Sequence, residues 1–203
     1  MMDDTKESVR MMIWDLMEME GISRYPNRDR IPDFIGSGKA ANLLKTTKEW
    51  EDAVTIFVSP DTAQRKVREY VISDEKILIM ASPKLLNGYL LIDPSHIKGH
   101  EKKASTIEGA FKFGQNIDTF PNVDMVVEGS VAVDKYGGRL GKGGGYGDME
   151  IEHLKKLHVI NSKTLIVSTV HKIQIVDSVP LQSHDQKINM VVTPEGIMRI
   201  IKR

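Results

Sequence analysis

The chain has 203 residues, 40% hydrophobic and 28% charged, with a formal net charge of zero. That length supports one substantial core, or at most two small ones, and zero charge gives no long-range pull on nucleic acid or anionic lipid. Cysteine is absent, which excludes disulfides, thiolate nucleophiles and zinc–thiolate sites together.

The N-terminal MMDDTKESVR is charged where a signal peptide would be apolar. No apolar run approaches the roughly 20 residues of a membrane span. A cytoplasmic protein with no membrane partner is therefore expected, as a single domain over 1–203. Asp4 with Glu7 fits a capping box. Val9, Met12, Ile13, Leu16 and Met17 follow the spacing of a core-facing helix, which Gly21 would end. RYPNRDRIPDFIG is a loop rich in Pro and Arg, and a short helix is predicted at 39–44.

VTIFVS (54–59) predicts a buried strand. It would feed a helix running through 64–71, with Ser59 as N-cap and Pro60 at the first helical position. KILIMAS (76–82) and YLLID (89–93) read as further strands, and 106–113 as a helix. VDMVVEGSVAVD (123–134) holds one or two buried strands broken at Gly129. After a glycine-rich loop, 148–157 reads as a helix. TLIVSTV (164–170), IQIV (173–176), NMVVT (189–193) and IMRII (197–201) complete the strands. Continuous apolar strands alternating with amphipathic helices predict an α/β layered fold with a mostly parallel sheet. In such sheets ligands sit beyond the carboxyl ends of the strands.

The loop in that position is GGRLGKGGGYGD (137–148), in which seven of twelve residues are glycine. Bare backbone lets successive N–H groups approach an anion, and a following helix adds its positive end. Arg139 and Lys142 supply formal charge. A strand–glycine loop–helix context therefore predicts phosphate binding. The loop is not GxxxxGK[ST], because Lys142 precedes Gly143 and no Ser or Thr follows. Asp148 is either a plain N-cap or a Mg²⁺ carboxylate, since magnesium takes one or two carboxylates plus substrate phosphates.

Lys6 and Arg10, four apart, share one edge of the first helix, and Lys6 faces the helix end where a cation is disfavoured. An anionic ligand from elsewhere in the fold would offset that cost. Near the C-terminus, His171, Gln174, His184 and Asp185 are polar positions that match neither a zinc spacing nor a Ser–His–Asp nucleophile elbow.

Together these residues resemble the 5-formyltetrahydrofolate cyclo-ligase family. Its hallmark R-[LI]-G-x-G-x-G-Y-Y-D is similar to RLGKGGGYGD (139–148). The family's Lys-x-x-x-Arg pair is matched by Lys6 and Arg10, and its late Asp after a Val-Pro pair by Asp185 in VPLQSHD. The resemblance implies a three-layer α/β/α sandwich like the sugar-phosphate isomerase and CoA-transferase folds.

It also implies an enzyme that uses ATP and Mg²⁺ to close 5-formyltetrahydrofolate, or a related formyl-pterin, to the 5,10-methenyl form. On that resemblance Lys6, Arg10, Arg139, Lys142 and the backbone of Gly141, Gly143, Gly144 and Gly145 hold ATP. Tyr146 faces the pteridine or formyl group, with Arg139 as its catalytic companion, and Asp148 and Asp185 carry Mg²⁺. The chain departs from the family at Gly147, where a second Tyr is usual, and at Gly144, where a cation is common. The family's folate-binding Glu is replaced in SPDTAQRKVRE by Asp61 and Gln64. Two alternatives stay open: an ATP-dependent paralogue with a non-folate substrate, and a non-catalytic nucleotide- or RNA-binding module, against which the zero net charge argues.

Overall fold

A computed structural model describes residues 5–200. Its frame is an eight-stranded sheet. The strands β1 (Thr55–Val58), β2 (Ile77–Ala81), β3 (Tyr89–Ile92), β4 (Gln115–Ile117) and β5 (Met125–Glu128) come from the first two thirds of the chain. They are joined by β8 (Leu165–Thr169), β10 (Met190–Thr193) and β11 (Gly196–Arg199). Their spatial order is β11-β10-β8-β5-β1-β2-β3-β4.

The five central strands, β10 through β2, are mutually parallel. β1, β5 and β10 are buried at every position, as continuous apolar runs covered on both faces must be. The edges turn antiparallel, at β2–β3, β3–β4 and β10–β11. The connections from β2 to β3 and from β10 to β11 are too short for a parallel crossover, which takes a dozen or more residues. Outside this sheet, β6 (Ala132–Asp134) pairs antiparallel with β7 (Arg139–Leu140) and parallel with β9 (Ile175–Val176).

The period of two along each strand divides the core into two layers. Ile56, Val58, Leu78, Met80, Met125 and Val127 face one side. There they meet α1 (Lys6–Met19), α2 (Ser37–Lys45), α3 (Lys48–Asp52), α4 (Arg65–Ser73), α5 (Glu101–Ala104) and α6 (Ile107–Phe113). Phe57, Ile79, Val126 and Val191 face the other, where α7 (Tyr146–Lys156) brings Ile151 and Leu154. The expected α/β/α sandwich is thus present but lopsided, with six helices on one face and α7 with loops on the other. No helix among the described residues is long and apolar enough to cross a membrane.

Four local expectations are corrected. α1 is capped by Thr5, whose hydroxyl accepts from the Ser8 amide; Asp4, predicted as the cap, lies outside the described residues. Ser59 and Pro60 do not begin a helix. The first turn starts only after Asp61, as a 3₁₀ turn Thr62–Gln64 that runs on into α4. Asp148 is no N-cap, because α7 begins two residues earlier and is capped by Gly145 at φ 69°. The predicted strand 173–176 is half a 3₁₀ turn, Lys172–Gln174, followed by β9. Ile201, the last residue of predicted IMRII, is outside the described residues.

Candidate active site at the carboxyl ends of the parallel strands

A cleft of about 310 Å³ opens beyond the carboxyl ends of β1, β2 and β5, where a parallel sheet is expected to present its ligand site. Its walls are the Ser59–Pro60–Asp61 segment after β1, Pro83 and Lys84 after β2, and Glu128 with Gly129 at the end of β5. The glycine loop closes the remaining side through Arg139, Gly141, Lys142 and residues 144–148.

The loop's glycines have separate reasons. Gly143 and Gly145 hold φ of 115° and 69°, in the left-handed region that L side chains avoid. Gly144 has an ordinary φ, but a Cβ there would lie 2.6 Å from the Tyr146 ring. Glycine lets that ring fold back over the loop, and a larger residue here would have to push the ring aside. Gly145 caps α7 without a side chain, so the first N–H groups of this eleven-residue helix are left to whatever enters the cleft.

Five charged side chains brace this loop and the 182–186 segment beside it. Arg10, on α1, donates from Nε to the Gly141 carbonyl at 2.8 Å. Arg139 is 4% exposed; its Nη2 lies 2.9 Å from Asp148 Oδ2 and its Nη1 donates to the Gly129 carbonyl at 3.1 Å. Burial disfavours its charge, but Asp148 and Glu128 outweigh burial and hold the guanidinium firmly protonated. Asp148 Oδ1 accepts from the Gln186 amide at 2.9 Å. Lys6 reaches Asp185 at 2.6 Å, and Asp185 also accepts from the Gln182 amide at 2.6 Å. Burial opposes charge on Asp185, yet the Gln182 amide and Lys6 prevail and depress its pKa. One segment, 182–186, therefore grips both Lys6 and Asp148.

The structure brings the expected residues together in two shells. Arg139, Gly141, Lys142, Gly144, Gly145, Tyr146 and Asp148 line the cleft. Lys6, Arg10, Gly143 and Asp185 stand behind it, locked to the loop and to residues 182–186 by the contacts above. Lys142 extends toward Asp61, 3.8 Å away. Among the described residues no group of three or more His, Cys, Asp or Glu could hold a metal by itself. A magnesium ion needs only one or two carboxylates when phosphates complete its shell. Asp148 lines the cleft at the start of α7 and fits that requirement only by sharing oxygens that already meet Arg139 and the Gln186 amide; Asp185, paired with Lys6, is not in the cleft lining.

Two buried carboxyls escaped the sequence reading. Glu128 is 2% exposed and Glu150 3%. Both line the cleft and lie within hydrogen-bonding reach of each other. Burial, then the Glu150 charge, pushes Glu128 well above the usual carboxylate range. Burial, then Asp61, pushes Glu150 up to about 8. The only local signal is a Glu closing the apolar run MVVE and another beside Ile151 on a helix face. Gly147 belongs with this pair: a Cβ there would sit 2.9 Å from Glu128 Oε2 and 3.0 Å from both terminal nitrogens of Arg139. A tyrosine cannot replace Gly147 while these two side chains keep their places.

His171, Gln174 and the segment after β1 have structural duties. His171 Nδ1 accepts from the Ile173 amide, and Gln174 Oε1 accepts from the His171 amide. The Gln174 amide group donates to the carbonyls of Ser130 and Val131, fixing the break between β5 and β6. Arg68, wholly buried on α4, donates to the carbonyls of Ser59, Asp61 and Ser105 and so shapes the wall of the cleft.

Fold and site define a layered α/β protein with a glycine-lined cleft at the carboxyl edge of its parallel sheet. Residues 2–194 match the model of the 5-formyltetrahydrofolate cyclo-ligase family. A methenyltetrahydrofolate synthase domain-containing protein of Mus musculus is 34% identical over 96% of this chain and 55% of its own length. The 5-formyltetrahydrofolate cyclo-ligase of Escherichia coli K12 is 33% identical over 37% of this chain and 38% of its own. The NMR structure of Aquifex aeolicus 5,10-methenyltetrahydrofolate synthetase shares the fold, with a TM-score of 0.59 at 22% identity over 98% of this chain and 92% of that one. The chain belongs to the 5-formyltetrahydrofolate cyclo-ligase family. It spans about half the length of the mammalian relatives it matches.

Proposed function

We propose that the chain is an ATP- and Mg²⁺-dependent cyclo-ligase that converts 5-formyltetrahydrofolate, or a related formyl-pterin, to the 5,10-methenyl form with release of ADP and phosphate. The observation that carries this reading is the convergence of Arg139, Lys142 and the open N-terminus of α7 on one glycine-lined cleft. Phosphoryl transfer asks a protein for positioned cations and backbone donors rather than for a covalent nucleophile.

In this reading the loop backbone and Lys142 hold the phosphates. Arg139, kept charged by Asp148, stabilises the negative charge that develops on the transferred group. Lys6 and Arg10 act from behind, fixing residues 182–186 and the loop so that the donors are set before substrate arrives. Asp148 is the carboxylate that would hold magnesium, whose contribution when bound is to neutralise phosphate charge. Tyr146, folded over Gly144, faces the substrate side and shields the reacting centre from water. The formyl oxygen takes the terminal phosphoryl group, the second folate nitrogen attacks the activated carbon, and phosphate leaves with the carbon–oxygen bond.

The test is incubation with Mg-ATP and 5-formyltetrahydrofolate, following the methenyl absorbance and phosphate together. One phosphate per methenyl group is expected. No methenyl product from any formyl-pterin would refute the reading. Glu128 and Gly147, on the substrate side, favour one second reading, an ATP-dependent paralogue acting on another cofactor precursor. Tight ATP binding without any binding of a reduced folate would select it.

A further inference from the structure

Glu128 ends β5 on the floor of the cleft, and its Oε1 is buried without a hydrogen-bond partner. Six buried side-chain polar atoms lack a partner among the described residues, and three of them, on Ser59, Glu128 and Arg139, belong to residues lining this one cleft. Orphaned buried donors and acceptors cost stability, so their concentration at one place calls for an explanation. Two donors at the cleft are themselves unengaged, Arg139 Nε and the Ser59 hydroxyl, and neither meets Glu128 Oε1. Arg139 spends Nη1 on the Gly129 carbonyl and Nη2 on Asp148, and Gln64 gives its amide to Thr169. Glu150, within hydrogen-bonding reach and with its pKa pushed up to about 8, shares a proton with Glu128 but leaves Oε1 unpartnered, and Asp61 adds only another acceptor.

Space completes the picture. Above Glu128 the chain has Gly147, and a Cβ there would come 2.9 Å from Glu128 Oε2. The absent side chain leaves space against the Oε2 side of this carboxyl, and the carboxyl, while it keeps its place, forbids a large residue at that position. Glu128 and Gly147 are a matched pair, replacing an aromatic wall with a buried acceptor.

We propose that Glu128 is a specificity-determining residue whose incompletely hydrogen-bonded carboxyl turns to accept a hydrogen bond from the N–H or amino edge of a heterocyclic substrate, in the space that Gly147 leaves beside it. The proposal rests on the cyclo-ligase reading for the kind of heterocycle, since a reduced pterin carries an amino group and ring N–H donors on one edge. A site built to hydrogen-bond such an edge rejects an analogue lacking it, because the acceptor is then left unpaired. Ser59, whose hydroxyl is also unpartnered on this floor, is placed to serve the same edge.

The experiment measures equilibrium binding of 5-formyltetrahydrofolate, of its analogue lacking the ring amino group, and of Mg-ATP. It compares the unmodified protein with Glu128→Val and Glu128→Gln. For Glu128→Val the dissociation constant and KM for the folate are expected to rise about tenfold to a hundredfold, with ATP binding unchanged. The analogue should bind the unmodified protein weakly, and Glu128→Val should add little further loss. Glu128→Gln keeps the shape and serves if the valine variant does not fold; about a tenfold weakening is expected. Unchanged folate binding in the folded variant, or an equal loss for folate and analogue, overturns the proposal and leaves the cyclo-ligase reading standing. Failure of the unmodified protein to bind any formyl-pterin removes both.

Discussion

Arg10 Nε meets the Gly141 carbonyl at 2.8 Å, tying the first helix to the glycine loop across 131 positions of sequence. The bond is directional, and the same guanidinium lies 3.7 Å from where a Gly143 side chain would begin. Arg10→Lys keeps the charge but loses the planar donor that fits beneath the loop. Affinity for Mg-ATP should fall about tenfold, with the melting temperature little changed, as read by calorimetric titration and a thermal melt. Full affinity in Arg10→Lys would mean that charge alone matters here.

Asp148 is the counter-charge of a guanidinium that is 4% exposed. Asp148→Asn leaves Arg139 buried and short of a partner. Removing one member of such a pair costs about 3 kcal/mol. Urea unfolding should show that loss, and the magnesium dependence of ATP binding should weaken with it. An unchanged denaturation midpoint would contradict the assigned pairing.

The buried carboxyls predict an unusual pH dependence of stability. Glu150 is pushed up to about 8 by burial and Asp61, and Glu128 is raised in the same direction. A folded-state pKa above the unfolded value means that the folded protein binds more protons in between. The stability from these groups is therefore complete below about pH 4.5 and is lost as pH rises toward 8. Melting temperature measured across this range should fall, and Glu150→Gln should flatten the curve. A Glu150→Gln variant with an unchanged slope would remove the assignment.

Arg68 holds three carbonyls, two of them in the cleft wall. Burial lowers its pKa to about 10, yet it keeps its charge at neutral pH. Arg68→Met would strand Ser59, Asp61 and Ser105 carbonyls and should cost about 3 kcal/mol, with folate binding lost ahead of ATP binding. Denaturation and the two binding assays check it; a variant as stable as the parent would show the carbonyls find other donors.

Much of the frame could be read from sequence because it is set by local pattern. The fully buried strands β1, β5 and β10 are apolar runs, and the glycine loop announces itself by composition. What escaped depends on distant partners. Lys6 looked misplaced at a helix start until Asp185, 179 positions away, met it. Ser59 and Pro60 carry helix-start chemistry, but Arg68 holds the carbonyls of Ser59 and Asp61, on either side of Pro60, as cleft wall. Glu128 and Glu150 are polar letters in apolar surroundings, and only the folded chain shows them side by side. Gly147 registered as an omission; Glu128 and Arg139 supply its steric cause.

The central claim is that this glycine-lined cleft couples ATP cleavage to closure of a formyl-pterin. The most direct measurement follows methenyl absorbance and phosphate release together, for the unmodified protein with Mg-ATP and 5-formyltetrahydrofolate. The account predicts equal molar amounts of both products, absent without ATP and much reduced in Arg139→Ala. Phosphate released with no methenyl product, or no turnover with any formyl-pterin, would contradict it.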